Sequence, residues 1–600
     1  MELEPSATLI AWLNVTIPSA RFKVLAHDKR LELLDAETQR FQSIGPFFGR
    51  QRNAYCRWCS LPPEVLCLVF EMAQELYGWP VVMPALPSGT NEGEHAIKNG
   101  GDYQPGWIVV THVCSIWREV AIGSAKLWAD PDDMLAMSWT LMSMVIQRSQ
   151  SLPFSLCLSG DSYGTLARMD ARLPLCFAPP MYGRLQHLNL GEFTLPAYKR
   201  VAGHLDAALP NLRTLRVDLC LEETEDAPRL PSGIELSASL TALSLQNCLP
   251  PRWDDSFFSA RIQRLTLQYP ETSTAILPSA MQLANTLMSL KSLEVLTVVD
   301  AFPDKSSLDD SYPTIILPTS LRFCEVTASE YATRHRACCE FLAHVVFPCN
   351  VELIIEINDP DDVSSLSENG PPTLALTAIQ SIYSRLRPVK ALVVSDTAFL
   401  THGNKPSESW RGQLIETTYG MFSILMPGIE SLLAFSFEAP GVQPLAAFGL
   451  PIPLDDLTSI SLTAEGVAIV YDSPVWWDAF ETAKGVRTLG LCIDNYAAVL
   501  RLAERIMERD GTRHPFFPNL DSICITVQDG RIAKDPHHRP SFEPALHALV
   551  ALVKDRNATG PCSVKDIVVD KYLRDWWTWD AFAIYAQVSF DVFLVGNRTR

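Results

Sequence analysis

The sequence predicts an α/β chain in which a short helical module precedes a long run of strand–helix units. Three observations carry that prediction. From residue 185 onward a motif of the form Leu-x-x-Leu-x-Leu keeps returning in degraded copies. Helix-like segments fall between those copies. Ahead of them, between Leu61 and Trp128, two apolar stripes recur at helical spacing.

Residues 1–54 read as an N-terminal segment. An amphipathic helix is expected over 20–41, where Val24, Leu31, Leu34 and Phe41 fall near heptad spacing. The run is short for a coiled coil, so packing on the next module is the better reading and dimerisation the alternative. Gly45 to Asn53 reads as a linker.

Residues 55–148 form the helical module. Pro62 and Pro63 suit a first helical turn, where a missing N–H costs little. Val65, Leu66, Val69 and Phe70 then recur on one side. A second helix is marked by Val109, Val113, Trp117 and Ala121, with Gly123 as a stop and Pro131 barring continuation. A third is expected over 132–148. Two or three short helices cannot close a large core alone. Leu61, Pro62, Val113, Trp117 and Trp128 should leave apolar surface of the kind that marks an interaction site. Core packing against the rest of the chain fits the same pattern equally well.

A resemblance separates the two readings. Leu61-Pro62-Pro63-Glu64-Val65-Leu66, Val69-Phe70, Val113-Cys114-x-x-Trp117-Arg118-x-x-Ala121 and Leu127-Trp128 together resemble an F-box, in the F-box-like form common in mushroom-type fungal proteins. The resemblance covers about a tenth of the chain. In that family these positions contact the Skp-type adaptor of cullin ubiquitin ligases. It therefore implies adaptor contacts at Leu61, Pro62, Val65, Leu66, Val69, Phe70, Val113, Cys114, Trp117, Leu127 and Trp128. The sequence departs from the family pattern in a long insert loop, 77–106, rich in Gly, Pro, Asn and Glu. Loops accept such insertions at small entropic cost.

Residues 149–600 carry the array. Its copies include Leu185-Leu188-Leu190, Leu212-Leu215-Val217, Leu240-Leu243-Leu245, Ile262-Leu265-Leu267, Leu293-Leu296-Val298 and Leu321-Cys324-Val326. Later ones are Val389-Leu392-Val394, Leu457-Ile460-Leu462, Val486-Leu489-Leu491, Leu520-Ile523-Ile525 and Val564-Ile567-Val569, with poorer copies at 351–357 and 429–437. Strands alternating with helices in short units predict a solenoid whose parallel strands line one curved face. This resembles a divergent leucine-rich repeat, an irregular horseshoe. Cys220 and Cys248 fall at that family's Cys/Asn ladder position, where other units hold Phe193, Pro270, Ala301 or Asp494. An ordinary α/β domain with coincidental motifs is the alternative. In a horseshoe the x positions of the early motifs would face a target protein, with Gln186, Asn189, Arg213, Arg216, Gln263 and Arg264 as candidate contacts. Solvated strand faces are polar in any case, so each residue alone says little.

Composition narrows the function. A net charge of −19 argues against a general nucleic-acid binder, which needs a basic footprint. No stretch is long and apolar enough to cross a membrane, and Glu2 and Glu4 stand where a secretory leader would be basic. The fifteen cysteines follow no framework, so an intracellular setting, cytoplasmic or nuclear, is expected. The sequons at Asn14 and Asn557 are then chance.

Cofactor chemistry is not expected. Cys56-Arg57-Trp58-Cys59 is a lone CxxC, short of the four ligands a structural zinc needs. No phosphate loop or dinucleotide fingerprint is present. Gly160-Asp161-Ser162 with Asp535-Pro536-His537-His538 mimics one esterase class, but no Gly-rich oxyanion loop accompanies it. The expected role is non-enzymatic. The front module would dock on a Skp-type adaptor and its cullin, while the array holds an unidentified protein target. A ligase-independent scaffold is one rival and a Gly-Asp-Ser type esterase the other.

Overall fold

The computed structural model describes residues 57–58, 61–82, 103–160, 166–206, 209–222, 225–236, 239–253, 257–269, 277–303, 313–328, 332–349, 351–358, 378–383, 388–394, 398–402, 431–438, 452–472, 474–510, 516–527, 539–559, 563–576 and 578–591, with scattered positions before residue 54. The helix expected over 20–41 lies mostly outside them. The chain divides into two compact units, Met1–Cys176 and Phe177–Arg600. The array start expected at Ser149 thus falls inside the first unit.

In the first unit α1 spans Pro63–Tyr77. Pro62 is extended and its carbonyl accepts the Val65 and Leu66 N–H groups, so the two prolines set the helix start. Gly78, at φ +63°, ends it by returning its N–H to Gln74. One face buries Leu66, Phe70 and Ala73. The insert then leaves through β1 (Val81–Val82) and returns through β2 (Tyr103–Gln104), which pair antiparallel. Gly106 follows at φ +52°, where a Cβ would meet the Gly78 carbonyl oxygen at 2.6 Å. Trp107 N–H donates to that same oxygen at 2.8 Å. The insert therefore begins and ends at one point.

The second predicted helix is broken in two. Gly106–His112 forms a 3-10 segment, and α2 runs over Ser115–Gly123. Cys114 is extended between them and caps α2, its Sγ accepting the Trp117 N–H at 3.4 Å. Val109 and Val113 thus precede α2 rather than riding on it. A further 3-10 turn, Ala125–Trp128, completes the helical cluster. Its core is a triad of Trp79, Trp107 and Trp128 in edge-to-face contact, with centroids 5.6, 6.1 and 5.1 Å apart. Trp128 Nε1 donates to the Ala121 carbonyl at 2.7 Å and Trp79 Nε1 to that of Asp130 at 3.2 Å. The Arg148 guanidinium lies 4.5 Å over the Trp128 ring, and burial lowers its pKa. Arg148 ends α3, Trp139–Arg148, which starts later than the expected residue 132. Ser138 caps that helix, while Asp133 turns its carboxylate to the Leu135 and Ser159 N–H groups and holds 134–137 as a buried turn. β3 (Phe154–Ser159) and α4 (Leu166–Cys176) close the unit.

The second unit is built on strands at the predicted motifs. They are β4 (Leu185–Thr194), β5 (Thr214–Cys220), β6 (Ala242–Gln246), β7 (Arg264–Gln268), β8 (Val295–Val299), β10 (Phe323–Ala328) and β12 (Glu352–Asn358). Each pairs in parallel with the next, in chain order. The register stacks equivalent motif positions: Leu188, Leu215, Leu243, Leu265, Leu296, Cys324 and Leu353 form one buried row across the sheet. Leu190, Val217, Leu245, Leu267, Val298, Val326 and Ile355 form the next. Helices α5 (Leu195–Ala202), α6 (Ala280–Ser289) and α7 (Ala332–His344) lie between some strands, and β9 (Ile315–Ile316) and β11 (Val345–Val346) make a separate parallel pair.

Beyond β12 chain order breaks. The sheet continues β12, β15 (Ser431–Glu438), β14 (Ala398–His402), β13 (Ala391–Val394), β16 (Ser459–Leu462). β14 runs antiparallel to both neighbours. An array in sequence order does not hold here. The reason is local: only residues 395–397 separate β13 from β14. That is enough for a hairpin and far short of a parallel crossover. Parallel chain order resumes through β16, β17 (Thr488–Cys492), β18 (Ser522–Thr526), β19 (Asp566–Asp570) and β20 (Gln587–Asp591). Helices α8 (Ala464–Asp472), α9 (Pro474–Thr482), α10 (Tyr496–Asp510) and α11 (Arg539–Thr559) connect them. Trp476 and Trp477 on α9 are wholly buried.

The molecule is a mixed α/β protein with a largely parallel sheet.

Candidate docking surfaces

Exposed apolar side chains are concentrated in the first unit. Among the described residues, thirteen large apolar side chains are exposed between Trp58 and Leu152, against six in all of Phe177–Arg600. On α1 they are Val65, Leu68, Val69, Met72 and Leu76, recurring at intervals of three, four and seven, so they make one outward stripe. Leu68, Met72 and Leu76 are 60, 62 and 76% exposed. Beside α1, Val109, Val113 and Ile116 add further exposed apolar surface at the start of α2. This is the kind of contiguous oily surface that soluble chains rarely leave uncovered.

The residues singled out from the sequence divide between this seam and its support. Pro62, Val65, Val69 and Val113 are exposed, and Leu61 and Trp117 are half-buried. Leu66, Phe70, Cys114, Leu127 and Trp128 are buried within the unit itself. Those five hold the surface in place and do not form it. Phe70 packs edge-on against Trp117 at 5.3 Å, and Trp117 Nε1 donates to the Trp58 carbonyl at 3.2 Å. Leu68, Met72 and Leu76, the most exposed of the stripe, were not among the predicted contacts. Their i, i+4, i+8 spacing was the available signal.

On α1 itself the charge is one-sided, while α2 carries the exposed Arg118. α1 carries Glu64, Glu71 and Glu75 and no lysine or arginine. Lys126 Nζ approaches Glu71 at 2.7 Å from the following turn. At the insert's root, burial pushes the Asp132 carboxyl above the usual range, with the Trp79 N–H pulling it back and Asp130 pushing it further up.

The second candidate surface is the sheet face turned away from the leucine rows. Strand alternation places Thr214, Arg216 and Asp218 on it and Leu215 and Val217 opposite. The register brings Asn189, Arg216, Ser244, Thr266, Thr297 and Glu325 into one row. A second row holds His187, Thr214, Ala242, Arg264, Val295, Phe323 and Glu352. Of the predicted target contacts, Asn189, Arg216 and Arg264 lie on this face. Gln186 shares its parity with Leu188, and Arg213 and Gln263 sit one residue ahead of their strands, so those three are off it. Arg216 lies 3.6 Å from Asp218, and Thr297 Oγ1 donates to Glu325 at 3.2 Å. From β12 onward the equivalent positions Ile354, Val393, Gly490, Cys524 and Val568 are buried, while Ser461 is half-buried and Ser589 exposed. The polar face is continuous only over the strands up to Glu352 at the start of β12.

The ladder positions also differ from expectation. Cys220 is exposed. Cys248 is buried 3.6 Å from the Tyr198 hydroxyl, and burial raises its thiol to about 12, so it is an inert packing group. The bridging is done one residue earlier by Asn247, at φ +59°, whose amide donates to the Leu219 carbonyl at 2.5 Å. Asn tolerates that left-handed backbone.

The remaining chemical motifs fall elsewhere. Cys56, Cys59, Asp161, Ser162 and the 535–538 stretch lie outside the described residues. Among the described residues no group of His, Cys, Asp and Glu could hold a metal ion, and no helix is long and apolar enough to cross a membrane. No protein-family model matches the chain, and no curated protein matches it.

Proposed function

We propose that the chain is a substrate-recognition adaptor of a Skp-cullin-F-box type ubiquitin ligase. The first unit would dock on the Skp-type adaptor as an F-box-like module, and the second would hold a protein target as an irregular leucine-rich-repeat-like solenoid. The observation that carries this reading is the exposed stripe Val65, Leu68, Val69, Met72 and Leu76 on α1, continued by Val109, Val113 and Ile116. The opposite face of α1 is already packed through Leu66, Phe70 and Ala73, with Phe70 against Trp117, so burying the stripe against a partner needs no unfolding. Two further features support it. The two ends of the insert meet at Gly78 and Trp107, so the helical cluster continues directly across it. The parallel strands up to β12 stack in register, as a solenoid requires.

No catalytic step is assigned to the chain itself. Its contribution is proximity, raising the effective concentration of a target near the ligase's catalytic centre. Recovery of purified Skp-type adaptor on the full chain tests the assignment. Val69→Glu plus Val113→Glu alters only exposed positions and should cut recovery at least about tenfold, since a buried unpaired carboxylate at an interface costs several kcal/mol. Equal recovery by both proteins rejects the surface. Absence of adaptor from the wild-type chain rejects the ligase role and favours a scaffold independent of it.

A further inference from the structure

Along two rows of the polar sheet face charge changes from strand to strand, and Asp218 of β5, in the next row, lies 3.6 Å from Arg216. β5 and β7 present Arg216 and Arg264, both exposed, on a chain whose net charge is −19. β8 and β10 present Val295 and Phe323, each half-buried. β10 and β12 present Glu325 and Glu352. All six sit in the two adjacent rows set by the register. A path across the strands therefore runs from basic, through apolar, to acidic.

Its length suits a short peptide. Neighbouring strands lie about 4.8 Å apart, so the steps from β5 to β12 span roughly 24 Å. An extended chain advances about 3.3 Å per residue, so about seven residues cover the path. A nucleic acid would meet two glutamates on the same path and be repelled there. A uniformly acidic or uniformly basic protein segment would be repelled at one end.

We infer that this face holds an extended segment of a partner protein, laid across the strands, acidic over Arg216 and Arg264, apolar over Val295 and Phe323, and basic over Glu325 and Glu352. This deepens, and rests on, the reading of the second unit as the part that holds a target. Complementary zoning of this kind selects partners and fixes their direction.

The test uses the full chain and fluorescein-labelled nine-residue peptides read by fluorescence anisotropy. One peptide is Asp-Glu-Asp-Leu-Phe-Leu-Lys-Arg-Lys, a second runs in the reverse order, and a third has the same composition with its charges interleaved. One zoned peptide should bind about tenfold tighter than the interleaved one. Arg216→Glu plus Arg264→Glu should erase that advantage and transfer it to a peptide whose acidic third is replaced by lysines. Both arginines are exposed, and an unchanged unfolding midpoint checks that the variant is folded. Equal binding of the interleaved peptide, or a preference that survives the double substitution, overturns the inference. Competition by a single-stranded oligonucleotide as strong as that of the zoned peptide overturns it in favour of a nucleic acid. Adaptor recovery is read on the same preparations. Intact recovery without a zoned preference sinks this inference alone, whereas a zoned preference without any adaptor recovery sinks the ligase reading alone.

Discussion

Asp570 ends β19 with no exposed surface. Its Oδ1 accepts the Tyr572 N–H at 3.0 Å, and its Oδ2 has no hydrogen-bond partner among the described residues. Burial pushes its pKa up to about 6, against the Tyr572 N–H and the Lys571 charge, which pull it down. The folded state therefore holds a proton that the unfolded chain has already released. The stabilisation is fully present below the unfolded pKa of about 4 and is lost as the pH rises through 6. Asp570→Asn keeps the shape and the cap without the charge. Relative to this variant the wild type should lose up to about 3 kcal/mol between pH 4 and pH 7.5, read from paired denaturant titrations. Identical pH dependence in the two proteins would remove Asp570 as the cause. Other single residues bear on the sequence reading in the same concrete way. Asn557 heads a sequon, yet it lies inside α11 and its amide donates to the Val564 and Tyr585 carbonyls at 3.1 and 2.7 Å. Glycosylation there would break both bonds, which fits the reading of that sequon as chance.

At the scale of elements, the junction of α1 with the insert makes a sharp prediction. Gly78, Gly106 and the Trp107 N–H clamp the two ends of the insert together. Shortening 83–102 to six Gly/Ser residues should stabilise the first unit by about 1 kcal/mol through cheaper loop closure, leaving adaptor recovery unchanged. Thermal melts and the pulldown check both halves, and a collapse of either would mean that the insert belongs to the helical core. The same element shows what periodicity can and cannot tell. α1 was legible as a helix, but it is apolar on two faces, Leu66–Phe70–Ala73 inward and Val65–Leu68–Val69–Met72–Leu76 outward. A period shows that stripes exist; only the neighbours decide which one is core. The residues singled out by resemblance consequently mixed the two. The break before α2 was hidden because a cysteine rarely serves as a helix cap. The exchange of β13 and β15 was hidden because β14, a five-residue strand, carries no leucine motif.

Across the whole molecule, the motif arithmetic was the most legible feature. Every Leu-x-x-Leu-x-Leu copy singled out lies at a strand, because only an inward residue at each second position can fill the space between stacked units. What the motif does not encode is the other side of the sheet. There the strands before β12 are polar and charged, whereas Val393, Cys524 and Val568 are buried on that side as well. Strands covered on both faces read as continuous apolar runs and offer nothing to a partner. On the proposed reading, target holding is confined to β4–β12, and adaptor docking to α1 and the residues around α2. The two roles should separate under mutation. Leu265→Ala removes one rung of the buried row, with Leu243 and Leu296 on either side. It should destabilise the array by about 2–5 kcal/mol, the usual cost of a core cavity. Amide exchange in β6–β8 should accelerate and the zoned-peptide preference weaken, while α1 and α2 keep their protection and adaptor recovery is unaltered. Loss of adaptor recovery while α1 amides remain protected would show that docking needs the array itself, and the division of labour between the two units would fail.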